Sequence, residues 1–424
     1  MKTRINSPWL ALAVLASCAT VGFIDRIVVN VLVEPVKAEF GLSDVQVSMM
    51  GWAFALLNVV GGFVTARFAE RVRRLTLIAG GVTLWSLFTA LCGAAGSWVQ
   101  LLVARMGVGL GEAIGLPPNQ SVISDYFPAN KRGLAISCLL LSPPLGAFIG
   151  FVGGGWIAQE FGWKATFLIA AIPGFVLGII AYVFVAEPKR GQFDAEASDE
   201  VPPMSAFFHR IWSLKSARYL VIGSFIAAAL SYALNFFFAS LLVRKFDLGL
   251  AEAGLYTGIL ASLPAALSIV GAGWLGDRLG ERNPAAYALI PGVGLLIGGP
   301  LGAFGMLQGD LHTLLTLVAM SIFLTVSYLG ITFATVQNLM HPRMRATASA
   351  TLNGIYTLAG GLGPTLIGLL SDRFSASMGE ANGLATAMAT GGMVYLVAAA
   401  FYFLAARHLR GDTAKVAAGV RATV

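Results

Sequence analysis

Runs of about 20 apolar residues, each long enough to cross about 30 Å of hydrocarbon as an α-helix, recur along the chain between short polar turns marked by Gly or Pro. The pattern predicts twelve membrane-spanning helices, near 8–35, 45–68, 75–95, 98–120, 133–158, 164–186, 219–243, 251–274, 285–306, 312–337, 347–370 and 384–406. One polar stretch is longer than the rest. Between Glu187 and Lys215 stand Pro188, Asp194, Glu196, Asp199, Glu200, Pro202 and Pro203, a composition suited to a solvated linker. The expected organisation is therefore all-α: six helices over 1–186, a linker over 187–218, six more over 219–410 and a tail over 411–424.

Composition agrees with a chain dissolved in lipid. Hydrophobic residues make up 57% and charged residues only 12%, about half the charge of an ordinary soluble domain; mean hydropathy is +0.78. The 50 glycines suit membrane bundles, where small residues let helix backbones approach closely. A net charge of +7 would suit a nucleic-acid partner, but its distribution argues otherwise. With the N-terminus inside, 21 of the 28 Lys and Arg fall in inside loops and tails. Only Lys37, Lys164, Arg244, Lys245 and Arg373 fall outside. The positive-inside rule then places both termini in the cytoplasm, and a bacterial inner membrane is the expected location. The three cysteines, Cys18, Cys92 and Cys138, lie in apolar helices without metal-ligand spacing, which suggests packing rather than a disulfide or zinc. The segment Leu15-Ala16-Ser17-Cys18 is similar to a lipoprotein cleavage site, but cutting there would remove half of the first span.

The halves repeat each other. Ala66-Arg67-Phe68-Ala69-Glu70-Arg71-Val72-Arg73-Arg74 follows span two, and Gly273-Trp274-Leu275-Gly276-Asp277-Arg278-Leu279-Gly280-Glu281-Arg282 follows span eight. Pro128-Ala129-Asn130-Lys131-Arg132 before span five matches Pro342-Arg343-Met344-Arg345 before span eleven. Such internal symmetry marks transporter repeats. The 273–282 segment resembles the loop motif of the major facilitator superfamily. That resemblance implies cytoplasmic gating by Glu70, Arg71, Arg74, Asp277, Arg278 and Arg282. The first copy departs from the pattern, with Ala66 where Gly is usual and Glu70 where Asp is usual.

Four ionisable residues fall at hydrocarbon depth: Asp25 and Arg26 on span one, Arg105 and Glu112 on span four. Each costs about 2.5 to 3.5 kcal/mol at a helix centre, so such groups face a partner or a wet cavity. Arg105, Glu112 and Asn119 share one stripe, being seven residues apart. Counting helical rise puts Asp25 level with Arg105 and Glu112 deeper, so the expected ion pair is Asp25 with Arg105, and Glu112 is a second protonatable site. A purely structural staple between spans one and four is the competing reading.

Around these charges the resemblance narrows. Asp25-Arg26, the Arg105-x-Gly107-x-Gly109-x-Gly111-Glu112-Ala113 run, Ser124-Asp125-Tyr126-Phe127-Pro128, Gly363-Pro364 and Ser371-Asp372 resemble the Spinster-type branch over nearly the whole chain. Eukaryotic members are associated with sphingosine-1-phosphate and lysophospholipids, which implies an amphiphilic anionic or zwitterionic substrate moved by proton-coupled alternating access. A related branch of organic-anion:proton symporters also carries an Asp-Arg pair on span one and an acid on span four, and a drug/proton antiporter is a further alternative. Asn119 on span four, Tyr232 and Asn235 on span seven, and Asn353 and Tyr356 on span eleven are candidates for the substrate cavity, with helix-to-helix bonding as the alternative for the two later pairs. The Trp-x-Pro element common on span seven of the family is absent. Phe236-Phe237-Phe238 reads as lipid-facing or packing, with an aromatic wall for an amphiphile as the alternative; the glycines at 146, 150, 153, 154 and 155 resemble the glycine-rich element of antiporters, with close packing as the favoured reading.

Other classes are disfavoured. His209, His312, His341 and His408 fall in loops or tails, and no Gly-x-Ser-x-Gly or His-Glu-x-x-His occurs, so no enzyme site is offered. A channel would need a filter or charge ring rather than repeats with isolated buried acids. The expected partners are a small-molecule substrate, protons and the bilayer, with no cofactor, no metal and no nucleic acid, acting as a monomer.

Overall fold

The computed structural model describes residues 7–68, 72–190, 204–340 and 344–421. Among them, eleven helical segments are long and apolar enough to cross a bilayer. The longest, 131–184, contains two crossings, so the count agrees with the twelve-helix reading of the sequence.

The chain forms two compact units. The first comprises Met1–Ser198 with Phe236–Ser262, and the second Asp199–Asn235 with Leu263–Val424. In the first lie α1 (Pro8–Val31), α2 (Val33–Phe40), α3 (Asp44–Phe68), α4 (Arg74–Gly93), α5 (Trp98–Gly115), α6 (Pro117–Tyr126), α7 (Ala129–Leu139) and α8 (Ser142–Phe184). Helices α10 (Lys215–Phe246) and α11 (Leu250–Gly280) contribute to both units. The second unit adds α9 (Met204–Ser213), α12 (Ala286–Met306), α13 (Leu311–Thr325), α14 (Tyr328–Leu339), α15 (Arg345–Met378) and α16 (Glu380–Arg421).

Local chemistry sets several of these ends. Ser97 accepts a hydrogen bond from the Gln100 amide at the start of α5, and Asp310 accepts one from the Thr313 amide at 2.8 Å at the start of α13. The fourth span is two helices, because Pro117 and Pro118 bring no amide hydrogens to continue α5. Gly162 adopts φ 82°, a conformation that admits Gly freely, and it divides α8. Before it, Gly146, Gly150 and Gly154 meet Phe23, Ile27 and Val28 in turn, so that segment runs parallel to α1. After it, Gly174 and Gly178 meet Ser86 and Thr83, so the chain runs antiparallel to α4. Because α1 and α4 are themselves parallel, with Gly22 at Trp85 and Asp25 at Thr89, the two parts of α8 run in opposite directions. The close-packing reading thus holds for Gly146, Gly150 and Gly154; Gly155 abuts the Leu250 carbonyl of α11, and Gly153 meets nothing within 4 Å.

Alternating glycines let α5 sit between two neighbours. Gly109 lies against the main-chain carbonyl of Phe54 on α3, Gly107 against the Phe88 ring, and Gly111 against the backbone of Trp85 on α4. A Cβ at 111 would stand 2.5 Å from the Trp85 nitrogen, closer than van der Waals contact allows. Gly111→Ala should therefore lose about 1–3 kcal/mol of stability, seen as a lower Tm in detergent, whereas Gly62→Ala, which meets nothing within 4 Å, should be neutral.

Candidate functional site

Helix α5 carries Arg105 and Glu112 nearly two turns apart, and α1 carries Asp25 and Arg26 in succession. Packing in the first unit brings all four into one buried cluster. Asp25 is 0% exposed, Arg105 2% and Glu112 1%, while Arg26 is partly buried. The Arg26 guanidinium forms an ion pair and hydrogen bond with Oε2 of Glu112.

This pairing differs from the one the sequence suggests. Arg105 Nη1 donates to the main-chain carbonyl of Asp25 at 3.2 Å, not to its carboxylate. That carboxylate accepts from Thr89 Oγ1 at 3.1 Å and forms no ion pair among the described residues. Consecutive residues on an α-helix point about 100° apart. At this orientation of α1, Arg26 is presented to α5, whereas Asp25 is presented to Thr89 on α4.

Phe54 of α3 joins the two cations. Its ring centroid lies 4.8 Å from the Arg26 guanidinium carbon and 5.6 Å from that of Arg105; the Phe23 ring lies 5.2 Å from Arg26. An aromatic face stabilises a poorly hydrated guanidinium by about 0.5 to 2 kcal/mol. Oδ1 of Asp25, Oε1 of Glu112, Nε of Arg105 and both amide atoms of Asn119 take no hydrogen-bond partner among the described residues. Asn119, on α6, is 2% exposed. Unpaired buried polar atoms are costly, so these atoms have unused capacity for a hydrogen-bonding partner.

The remaining candidates differ in burial. Tyr232 is 38% exposed and lies against Gly360 of α15, Asn235 is half-buried, and Asn353 is exposed. Tyr356 is buried and packs edge-on against Tyr328 and Phe333, at 6.3 and 5.5 Å between ring centroids. Phe236, Phe237 and Phe238 are all buried, which makes them packing residues rather than lipid-facing ones.

The loop candidates are equally unlike one another. Arg74 is buried, in an ion pair with Asp125 and another with Glu187 at 3.0 Å, and it donates to Ser121 at 2.9 Å and the Pro188 carbonyl at 3.2 Å. Glu187 also accepts from the Leu75 amide at 3.0 Å, which satisfies the start of α4. Glu70 and Arg71 lie outside the described residues. In the second unit Asp277, Arg278 and Arg282 are exposed; Asp277 accepts from Tyr287 at 3.3 Å, and Arg278 lies 5.4 Å from the centroid of the Trp274 ring.

A second buried charge cluster escapes sequence reading. Arg244, at the end of α10, donates to Glu34 Oε1 at 2.7 and 3.0 Å and to both Asp44 oxygens at 2.6 and 2.7 Å, and Lys37 Nζ stands 3.1 Å from Asp44. The four belong to the first unit. About 200 residues separate Arg244 from its partners, and each side chain reads locally as an ordinary loop charge. The one available hint is that Glu34, Lys37 and Asp44 crowd between positions 34 and 44, at the end of the first span.

With this geometry established, comparisons with known proteins give a consistent result. A family model described as Major Facilitator Superfamily matches residues 15–368. The chain is 30% identical over 406 residues to an MFS-type efflux pump of Mycolicibacterium smegmatis, covering 95% of this chain and 94% of that one. It is 29% identical over 301 residues to a probable galactarate/D-glucarate transporter of Bacillus subtilis, covering 64% of each. A crystal structure of a bacterial homolog to the human lysosomal transporter Spinster, inward-facing and unoccupied, superposes with a TM-score of 0.88 at 29% identity, over 96% of this chain and 98% of that one.

The Arg244 cluster yields a direct test. The Arg244 side chain is 5% exposed and that of Asp44 2%, so Arg244→Met leaves two carboxylates without their guanidinium. The expected loss is about 3–5 kcal/mol, read as a depressed Tm, with partial recovery in the Arg244→Met/Asp44→Asn double variant.

Proposed function

The chain belongs to the major facilitator superfamily and is Spinster-like, and from that premise we propose that it is a proton-coupled carrier working by alternating access. The chain is a multi-pass membrane transporter of small molecules. The observation that carries the finer reading is the buried Arg26–Glu112 ion pair, one residue along α1 from the unpaired carboxylate of Asp25. Taking Arg26 away from Glu112 would strand a carboxylate in a low-dielectric setting, which costs several kcal/mol unless a proton neutralises it. A proton bound in one conformation and released in the other links the proton gradient to the cycle.

The proposed substrate is amphiphilic and anionic or zwitterionic, such as a lysolipid or a sphingoid phosphate. Its charged head would compete with Glu112 for Arg26, with Arg105 and the unsatisfied Asn119 amide as further donors. Tyr232, Asn235, Asn353 and Tyr356 are the proposed contribution of the later helices. Rocking of the 1–186 and 219–410 halves about the 187–218 linker, with Arg74, Asp277, Arg278 and Arg282 gating one side, completes the proposal. Both termini are placed in the cytoplasm on the strength of the Lys and Arg distribution.

A small organic-anion symporter is the second reading, favoured by the likeness to the galactarate/D-glucarate transporter. Thermal-shift screening of purified protein against lysolipids, sphingoid phosphates and dicarboxylic sugar acids separates the two. Stabilisation by the amphiphiles alone supports the first, and by the sugar acids alone the second. In liposomes, Asp25→Asn and Glu112→Gln should each abolish accumulation driven by a pH gradient while sparing exchange of substrate across the membrane. Undiminished gradient-driven accumulation in both variants would sink the coupling reading.

A further inference from the structure

A second site stands apart from this cluster, in the second unit where α9 meets α10. The two helices are separated by Leu214 alone. On an unbroken helix, positions six apart point about 120° away from each other. Yet the Arg218 guanidinium carbon lies 6.0 Å from the Trp212 ring centroid and 5.3 Å from that of Tyr219, across the interruption of the helix at Leu214.

Helix α9 has two faces. Ile211 is 6% exposed, and Arg210 donates to the Leu339 carbonyl at 3.1 Å, which fixes the inner face. Phe208 and Trp212, one turn apart, are 44% and 60% exposed on the outer face. Such a face at the end of a membrane span fits the boundary between headgroups and acyl chains, where Trp is favoured.

Arg218 is held by rings rather than by acids. Its guanidinium donates to no protein acceptor among the described residues. His209 and Lys215 are exposed beside it along the chain, and the His408 ring lies 6.0 Å from that of Tyr219. The buried acid here, Asp412, is engaged by the Ser216 amide and hydroxyl at 2.9 and 2.7 Å. The combination is a planar guanidinium with free N–H edges, a basic surround and an apolar aromatic platform.

We propose that Trp212, Arg218, Tyr219 and Lys215 form a binding site for the phosphate headgroup of an anionic phospholipid, with Phe208 and Trp212 against its acyl chains. Arginine's fork of donors matches phosphate oxygens, and the rings hold it ready without neutralising it. The lipid anchors α9 along the membrane surface at the point where the second unit's first span begins. This proposal stands whatever the transported substrate is.

Native mass spectrometry of the full-length protein, offered phosphatidylglycerol or phosphatidylcholine, tests it. The wild type should retain phosphatidylglycerol preferentially, and Arg218→Gln should weaken that retention about fivefold. Lys131→Gln, which removes an exposed charge from the first unit, should leave it unchanged. Inorganic phosphate in excess should not displace the lipid. Wild-type retention by Arg218→Gln, an equal loss in Lys131→Gln, or displacement by phosphate overturns the proposal. If Arg218→Gln does not fold, Trp212→Leu serves in its place: reduced retention upholds the site, and wild-type retention overturns it.

Discussion

The arrangement of the first unit depends on keeping charge inside an apolar helix bundle. Two guanidiniums and two carboxylates are buried together, yet only one ion pair, Arg26 with Glu112, forms among them. The other two groups are only partly satisfied, Arg105 by a main-chain carbonyl and Asp25 by the Thr89 hydroxyl. Phe54 compensates part of this deficit by offering its ring to both cations. The arrangement also depends on the glycines of α5, because Gly109 seats that helix directly against the Phe54 carbonyl. The glycine spacing and the charge cluster are thus one construction: close approach of α3, α4 and α5 places the polar groups within reach of each other.

The second unit is built from a different chemistry. Apart from Asp412, its buried polar side chains among the described residues are hydroxyls: Ser231 and Tyr395 share a hydrogen bond at 3.0 Å, Thr332 and Tyr402 share another, and Tyr328 packs on Tyr356. Tyrosines combine a large apolar ring with a single polar tip, so they fill an apolar interior while their hydroxyls bond to a neighbouring helix. Charge chemistry concentrates in the first unit and aromatic hydroxyl chemistry in the second.

Much of this was legible in the sequence, because hydrophobic length and turn residues report directly on membrane spans. The division into crossings, the family resemblance and the identity of the four deep charges all follow from residue type and spacing. The partner of each charge does not. Counting rise along a helix gives depth to within a residue or two, but a one-residue change rotates a side chain by about 100°, which is what separates Asp25 from Arg26. Arg244 was unreadable for another reason: its contacts with Glu34 and Asp44 join segments about 200 residues apart, and surface charges at span ends normally need no partner. The interruptions at Leu116 and Leu214 lie between these cases. The paired prolines at 117 and 118 announce the first, and no residue announces the second.

The central claim is that movement of substrate is tied to movement of protons through the α1–α5 cluster. It is tested most directly by following lumenal pH with a trapped dye in liposomes holding the wild-type protein, with no imposed gradient, while substrate is added outside. The account predicts a pH change that begins with substrate entry and is absent with empty liposomes. Substrate uptake at full rate with a flat lumenal pH would contradict it.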